Sequence, residues 1–140
     1  MKMSKITDLW FDAEIVHGNK IGGTLGYPTL NLSDPKILAG FEIGVYAVFV
    51  KVTDKVYHGV LYFGPRKVLS ETNNIIEIFL LNFSSQIYRE KISFRLIQFI
   101  RNVMDFSNFD SLRKQIEKDV NQAKAVFNSS ALISALPLIK

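Results

Sequence analysis

The feature that most constrains the fold is a series of short β-type segments between residues 44 and 101, separated by turn residues. Segments 45–52 (VYAVFVKV) and 56–63 (VYHGVLYF) are dominated by β-branched and aromatic residues, and the residues 53–55 between them predict a hairpin. Parallel strands need long crossover connections, and the connections here are too short for them. The pattern therefore predicts about five or six strands in an antiparallel barrel or sandwich.

The hydrophobic period changes near residue 107, after further β-type segments at 75–83, 87–89 and 92–101. Apolar residues then recur at three- and four-residue spacing, which predicts one amphipathic helix of about 17 residues packed on the barrel. These residues are Leu112, Ile116, Val120, Ala123 and Phe127. Ser107, followed three residues later by Asp110, fits a capping box at the start of this helix.

The chain of 140 residues is long enough for one domain with one core. We divide it into an N-terminal lead-in (1–12), a barrel with its helix (13–127) and a C-terminal tail (128–140). The tail is apolar but contains Pro137, which prevents it from extending the helix smoothly.

Composition excludes several classes of function. The chain has no cysteine, which excludes a disulfide scaffold, a thiolate nucleophile and a sulfur-based metal site, and its two histidines argue against a histidine-rich one. No apolar run reaches the roughly 20 residues that cross a bilayer. The 17 basic and 13 acidic residues are scattered, which argues against nucleic acid and fits a phosphorylated small molecule. We expect a soluble, cytoplasmic protein with no membrane partner.

Two candidate sites follow each other near the N-terminus. Segment 18–26 has four glycines in nine residues, so its backbone N–H groups could surround phosphate oxygens, although tight turns between strands are the commoner explanation. Thr29 and Asn31 lie two residues apart in an extended segment, so both side chains point to the same side. They offer the hard oxygens that magnesium prefers, but they also suit an ordinary loop after Pro28.

Glu77 is the most informative single residue, because it interrupts an apolar strand and shares a face with Phe79. It is either buried in an ion pair with a neighbouring Lys or Arg, or a general base whose pKa is raised by desolvation. Arg101 ends another strand, and the loop after it contains Phe106. A guanidinium beside an aromatic ring can frame a flat heteroaromatic ligand, whereas a solvated arginine at a strand end is the commoner case. We interpret His17 and His58 as structural.

Taken in order, these segments resemble the riboflavin kinase family, in particular the kinase module of bacterial FAD synthetases, from about residue 13 to residue 127. Residues 25–31 (LGYPTLN) are similar to the family's Leu-Gly-Phe-Pro-Thr-Ala-Asn signature. Residues 77–83 (EIFLLNF) are similar to its Glu-Val-His-Leu-Leu-Asp-Phe strand. Residues 44–47, 57–60, 99–101 and 109–119 match the intervening strands and the final helix in order.

The resemblance implies a six-stranded antiparallel Greek-key barrel with one C-terminal helix. It also implies transfer of the ATP γ-phosphate to the 5′-hydroxyl of riboflavin, giving FMN and ADP, with Mg²⁺ held by Thr29 and Asn31. Glu77 would take the proton of that hydroxyl, and Arg101, Asp105 and Phe106 would bind the flavin. The implied ATP-binding residues are Gly18, Lys20, Gly22, Gly26, Pro28, Thr29 and Asn31.

Three departures from the family pattern fall in ligand-facing loops. Ile21 and Gly23 stand where the family has arginines, which predicts weak ATP binding. Residues 65–68 replace a Thr-Arg-Pro-Thr-like segment, and residues 102–103 replace a Pro-Glu pair. The alternatives to a kinase are a flavin- or nucleotide-binding module without turnover and, from the apolar tail, a protein-interaction domain. Because Thr29, Asn31 and Glu77 are retained, we favour an active kinase.

The resemblance also implies a partner. The family's adenylyltransferase domain does not precede the barrel in this sequence, so we expect this chain alone to stop at FMN. An adenylyltransferase domain in a longer parent, or a separate protein, would then act on the product.

Overall fold

The structure is a computed structural model that describes residues 8–16, 29–81 and 91–129. It contains six strands and one α-helix: β1 (Phe11–Val16), β2 (Thr29–Leu32), β3 (Gly44–Val52), β4 (Lys55–Pro65), β5 (Asn74–Leu80), β6 (Lys91–Arg101) and α1 (Phe109–Phe127). Short 3₁₀ turns lie at Pro35–Leu38 and Lys67–Leu69. The first strand begins at Phe11, two residues before the predicted start of the barrel domain. The glycine-rich segment 18–26, the predicted strand 87–89 and the tail beyond residue 129 lie outside the described residues.

The six strands form a closed barrel in the order β1-β2-β5-β4-β3-β6, and every pairing is antiparallel. The predicted hairpin is present, with Val52 opposite Lys55 across a turn in which Thr53 has a φ of 61°. The barrel and its C-terminal helix confirm the predicted fold class. No helix in the described ranges is long and apolar enough to span a membrane.

Strand alternation divides the hydrophobic residues into two layers. On β5, Ile76, Ile78 and Leu80 point into the barrel and are fully buried there with residues of the other strands. Phe79 points outward and packs in a second cluster, between the outer barrel wall and α1. This second layer is where the polar groups of the candidate site lie.

Helix α1 uses its predicted apolar positions to cover the outer wall of the barrel. Ile116, Val120, Ala123 and Phe127 are buried, and the Phe127 ring stacks on His58 of β4 with centroids 4.1 Å apart. This contact gives His58 the structural role expected for it.

The predicted capping box is wrong. The N-cap is Asn108, whose side-chain oxygen accepts a hydrogen bond from the Ser111 backbone N–H at 2.8 Å. Asn is as good an N-cap as Ser, so the helix begins one residue later than Ser107 would allow. Asp110 instead accepts a hydrogen bond from Arg113 at 2.6 Å.

Gly44 permits the close approach of β3 and β6 at the end of the barrel that carries the candidate site. Its φ is +151°, and a Cβ atom there would lie 2.2 Å from the carbonyl oxygen of Arg101. A side chain at this position would push the end of β6 away from the barrel. Gly44 therefore fixes where Arg101 leaves the sheet.

Candidate active site

The candidate site centres on Glu77, in the middle of β5. Asn31 of β2 and Tyr62 of β4 are its direct neighbours across the two strand pairings, and Thr29 of β2 lies opposite Phe79. Directly opposite residues of an antiparallel pair point to the same face of the sheet. The structure therefore places Thr29, Asn31 and Glu77 together on the outer wall of the barrel.

Glu77 is almost completely buried, with 7% of its surface exposed. Its Oε2 atom has no hydrogen-bond partner within the described part of the chain, and no ion pair of Glu77 is found there. Burial raises the pKa of this carboxyl to about 7, and the nearby Arg66 guanidinium lowers it only in part. Among the described residues no ion pair accounts for Glu77, and its geometry fits the second sequence-based interpretation, a proton acceptor working near neutral pH.

Arg66 is a site residue that the sequence analysis did not single out. It follows β4 directly, and its Nη2 donates a hydrogen bond to Asn31 Oδ1 at 3.2 Å. Its Nη1 lies 3.4 Å from Glu71 Oε1. In the sequence, Arg66 is only a cationic residue that follows a predicted strand. Its closeness to Glu77 becomes evident only when the barrel topology shows that this strand, β4, pairs with β5.

Arg101 is held by a bidentate ion pair with Asp119 of α1. Arg101 Nε lies 2.7 Å from Asp119 Oδ1, and Nη2 lies 2.8 Å from Oδ2. Gln115 donates a third hydrogen bond to Asp119 Oδ1 at 3.0 Å. The Arg101 side chain is 13% exposed, so it is not the solvated arginine that was the commoner alternative. The pair fastens the helix to the end of β6, and the Phe106 ring centroid lies 5.9 Å from Arg101 Cζ.

A cleft between the barrel wall and α1 joins these groups. Its floor is mainly apolar, and its volume is about 60 Å³. The polar lining comes from Tyr62, Arg66, Lys67, Glu77, Arg101 and Asp119. The apolar lining comes from Val45, Val60, Pro65, Phe79, Leu112 and Ile116, with Met104 and Phe106 from the loop before α1.

Asp105 differs from the other two predicted flavin-binding residues, because it is not part of the cleft lining. Its side chain is 81% exposed and pairs with Lys67 at 3.2 Å. This ion pair joins the turn after β4 to the loop before α1. Asp105 thus lies at the rim of the cleft in this structure, whereas Arg101 and Phe106 line it.

The oxygens beside Glu77 fit a magnesium ion better than a structural metal site. Among the residues described, no group of three His, Cys, Asp or Glu side chains is arranged to hold a metal. Magnesium needs only one or two protein oxygens when phosphates and waters complete its shell. The Thr29 hydroxyl and the Asn31 amide oxygen face the same side of the barrel as Glu77 and supply two such oxygens. The predicted ATP-binding residues Gly18, Lys20, Gly22, Gly26 and Pro28 lie outside the described ranges.

Comparison with known proteins gives one consistent family. The riboflavin kinase family model matches residues 7–127. A bifunctional riboflavin kinase/FMN adenylyltransferase from Haemophilus influenzae is 39% identical over 116 residues, which is 82% of this chain and 37% of that protein. The chain therefore spans little more than a third of the length of this relative.

Two solved structures have a similar fold. A macrolide-efflux protein from Streptococcus pneumoniae superposes with a TM-score of 0.70 at 28% identity, covering 87% of this chain and 39% of that one. A riboflavin kinase from Trypanosoma brucei superposes with a TM-score of 0.59, covering 88% and 82% respectively, and its 18% identity shows the fold alone. The family model, which matches nearly the whole chain, establishes that this chain belongs to the riboflavin kinase family.

Proposed function

We propose that this chain is an ATP:riboflavin 5′-phosphotransferase, and that Glu77 is its general base. The observation that carries the proposal is the buried Glu77 carboxylate, which has a pKa of about 7 and an oxygen with no hydrogen-bond partner among the described residues. A carboxylate of ordinary pKa is a poor base for a hydroxyl, and a carboxylate in a direct arginine pair is poorer still. Family membership supplies the substrate class.

In this mechanism the riboflavin 5′-hydroxyl lies against Glu77 Oε2. The hydroxyl oxygen attacks the γ-phosphorus of ATP while its proton passes to Glu77. The new O–P bond forms as the bond between the γ-phosphorus and the β,γ-bridging oxygen breaks, and that oxygen leaves with the electron pair on ADP. Such a transfer depends mainly on positioning and charge neutralisation, so one base and a few oriented donors suffice.

Thr29 and Asn31 would hold Mg²⁺ next to this carboxylate. The ion would neutralise charge on the transferring phosphoryl group. The Asn31 side chain is already held in one orientation, because it is buried and its amide oxygen accepts a hydrogen bond from the Arg66 guanidinium. Its backbone is fixed as well, since Asn31 pairs with Val16 on one side and with Glu77 on the other.

The isoalloxazine ring would enter the apolar cleft beside Phe106 and Arg101. Met104 and Phe106 line the cleft from the loop before α1, and this loop would move to admit the ring. The Arg101–Asp119 pair would stay in place during this movement, because Asp119 is buried and the pair is bidentate. The flavin therefore binds between a fixed barrel wall and an adjustable loop.

The direct test incubates the protein with riboflavin, ATP and Mg²⁺ and separates the flavins by chromatography. FMN formation by the wild type, and its loss in Glu77→Gln, supports the proposal. Quenching of riboflavin fluorescence without FMN would instead support the second candidate, a binding module without turnover. The observation that favours this second candidate is the absence of the family's two arginines at Ile21 and Gly23.

The relatives suggest a fate for the product. The Haemophilus influenzae relative is named for both a kinase and an adenylyltransferase. We propose that FMN made by this chain passes to an adenylyltransferase, either in the same polypeptide or in a separate protein, and that both work in the cytoplasm.

A further inference from the structure

Arg66 is a cation that lines the cleft together with Glu77, and its position is fixed by the backbone. Gly64 has a φ of +156°, and a Cβ atom there would lie 2.8 Å from Val103 Cγ2. The Tyr62 hydroxyl donates a hydrogen bond of 2.5 Å to the carbonyl oxygen of Pro65. These two features hold the chain in one conformation immediately before Arg66, so its side chain is directed into the cleft that Glu77 lines.

The hydrogen-bonding capacity of Arg66 exceeds what the described residues use. A guanidinium has five N–H donors, and two contacts are present, to Asn31 at 3.2 Å and to Glu71 at 3.4 Å. The first partner is neutral, and the second is a half-exposed carboxylate at the limit of hydrogen-bonding distance. Within the part of the chain that the structure describes, the positive charge of Arg66, whose side chain is only 19% exposed, is therefore weakly compensated.

Arg66 and Glu77 line the same cleft, and within the described ranges no ion pair joins them. Oε2 of Glu77 meanwhile keeps no partner within the described ranges. A polar group can therefore lie between the two side chains, and it has a proton acceptor on one side and a cationic donor on the other.

We infer that the Arg66 guanidinium binds the phosphate monoester of FMN, the group that replaces the hydroxyl proton during transfer. This inference rests on the proposed function, because it places the riboflavin 5′-oxygen at Glu77. Before transfer the oxygen is a hydroxyl and has little need of a cation. After transfer it carries a phosphate of charge about −1.5 to −2, which a guanidinium binds through parallel N–H···O bonds. Arg66 thus distinguishes FMN from riboflavin.

The test measures dissociation constants for riboflavin and FMN by fluorescence quenching, in EDTA so that no metal contributes, at about pH 8 where the phosphate is a dianion. The variant is Arg66→Gln, and the matched control is Arg113→Gln, which removes the same charge from an exposed pair on α1. We expect the preference of the wild type for FMN over riboflavin to fall about tenfold or more in Arg66→Gln. The riboflavin constant should stay within about twofold, and Arg113→Gln should match the wild type.

Three further results decide the inference. Arg66→Lys should keep part of the preference, because an ammonium carries the charge without the planar fork. Glu71→Gln should keep all of it, because that change leaves the guanidinium in place. If Arg66→Gln or Arg66→Lys weakens riboflavin and FMN binding equally, Arg66 only supports Asn31, and the inference is overturned.

The proposed function and this inference fail in different ways. If the wild type makes FMN but Arg66→Gln keeps the preference for FMN, the kinase assignment stands and the phosphate contact is wrong. If the wild type makes no FMN from riboflavin and ATP, yet loses its preference for FMN in Arg66→Gln, the phosphate contact stands and the kinase assignment is wrong.

Discussion

The two faces of β5 differ in what they contain, although they alternate along the same seven residues. The inward face presents Ile76, Ile78 and Leu80 to a core that is apolar throughout this strand. The outward face presents Glu77 and Phe79 beneath α1. The described buried polar residues, Asn31, Glu77 and Asp119, all lie in this outer layer.

This difference shows how the fold separates stability from chemistry. The closed barrel satisfies its backbone hydrogen bonds and buries its interior without help from the outer wall. The outer wall can therefore carry a desolvated carboxylate, which is costly for the fold and useful for catalysis. Burial supplies the desolvation, and the Arg101–Asp119 pair fastens the helix that lines the same cleft.

The strongest test of this separation is Glu77→Gln on the outward face. We expect turnover to fall by about 10² to 10⁴ fold, because a neutral amide cannot accept the hydroxyl proton. Riboflavin binding should change little, since the size and shape of the side chain are retained. Steady-state rates and fluorescence titrations check both statements, and near-normal turnover would return Glu77 to a structural role.

The opposite face gives the matched control, Ile78→Ala, one residue further along the same strand. Ile78 is fully buried in the barrel, so its truncation should lower the free energy of unfolding by about 2 to 5 kcal/mol. The folded fraction should keep its turnover number and its pH profile. Urea denaturation measures the first effect. A catalytic loss as large as that of Glu77→Gln in the folded protein would contradict the separation of the two faces.

The pH dependence of stability sharpens the comparison. The pKa of Glu77 is raised from 4.5 in the unfolded chain to about 7 in the folded protein, chiefly by burial. Between these values the folded state binds a proton that the unfolded state releases, so Glu77 contributes stability below about pH 4.5 that is lost as the pH rises through 7. Glu77→Gln should therefore be more stable than the wild type at about pH 8, by up to on the order of 3 kcal/mol. Melting curves at low and high pH check this, and a constant difference would disprove the shift.

A smaller effect is expected for variants of the two residues proposed to bind magnesium-ATP. Thr29→Ala and Asn31→Ala should each weaken magnesium-ATP binding about tenfold, the scale of one lost charge-assisted contact. Riboflavin affinity should change less, because both residues lie on β2, away from the aromatic end of the cleft. Calorimetry with magnesium-ATP checks this. Unchanged affinity in both variants would remove the metal and phosphate assignment from this pair.

The sequence reveals the barrel and Glu77 for the same reason. Period-two alternation is a local property, so a carboxylate within an apolar strand stands out without any knowledge of its neighbours. The ion pair of Arg101 is a different case. It depends on how the helix docks, and sequence patterns gave the helix and the strand but not the contact between Arg101 and Asp119.

Arg66 shows most clearly which site residues cannot be predicted from sequence patterns alone. It reaches Asn31 across 35 residues of sequence, because β2 and β4 both pair with β5 in the closed barrel. Read as sequence, residues 65–68 are only a departure from a family pattern. The helix start was missed for a local reason, since Ser107 and Asn108 are both good caps and one residue decides between them.

The smallest effect concerns the rim of the cleft, where Lys67 pairs with Asp105 at 3.2 Å. Both side chains are exposed, and exposed ion pairs contribute about 0 to 1 kcal/mol, so Asp105→Asn should leave the melting temperature nearly unchanged. The pair nevertheless joins the turn after β4 to the loop whose Met104 and Phe106 line the cleft. Its loss should speed both flavin association and dissociation by about two- to fivefold, a change of under 1 kcal/mol in each barrier. Stopped-flow fluorescence with riboflavin checks this, and Lys67→Gln should reproduce it, because either change removes the same pair. If Asp105→Asn instead weakens equilibrium riboflavin binding and Lys67→Gln does not, Asp105 contacts the flavin directly, as the family resemblance implies.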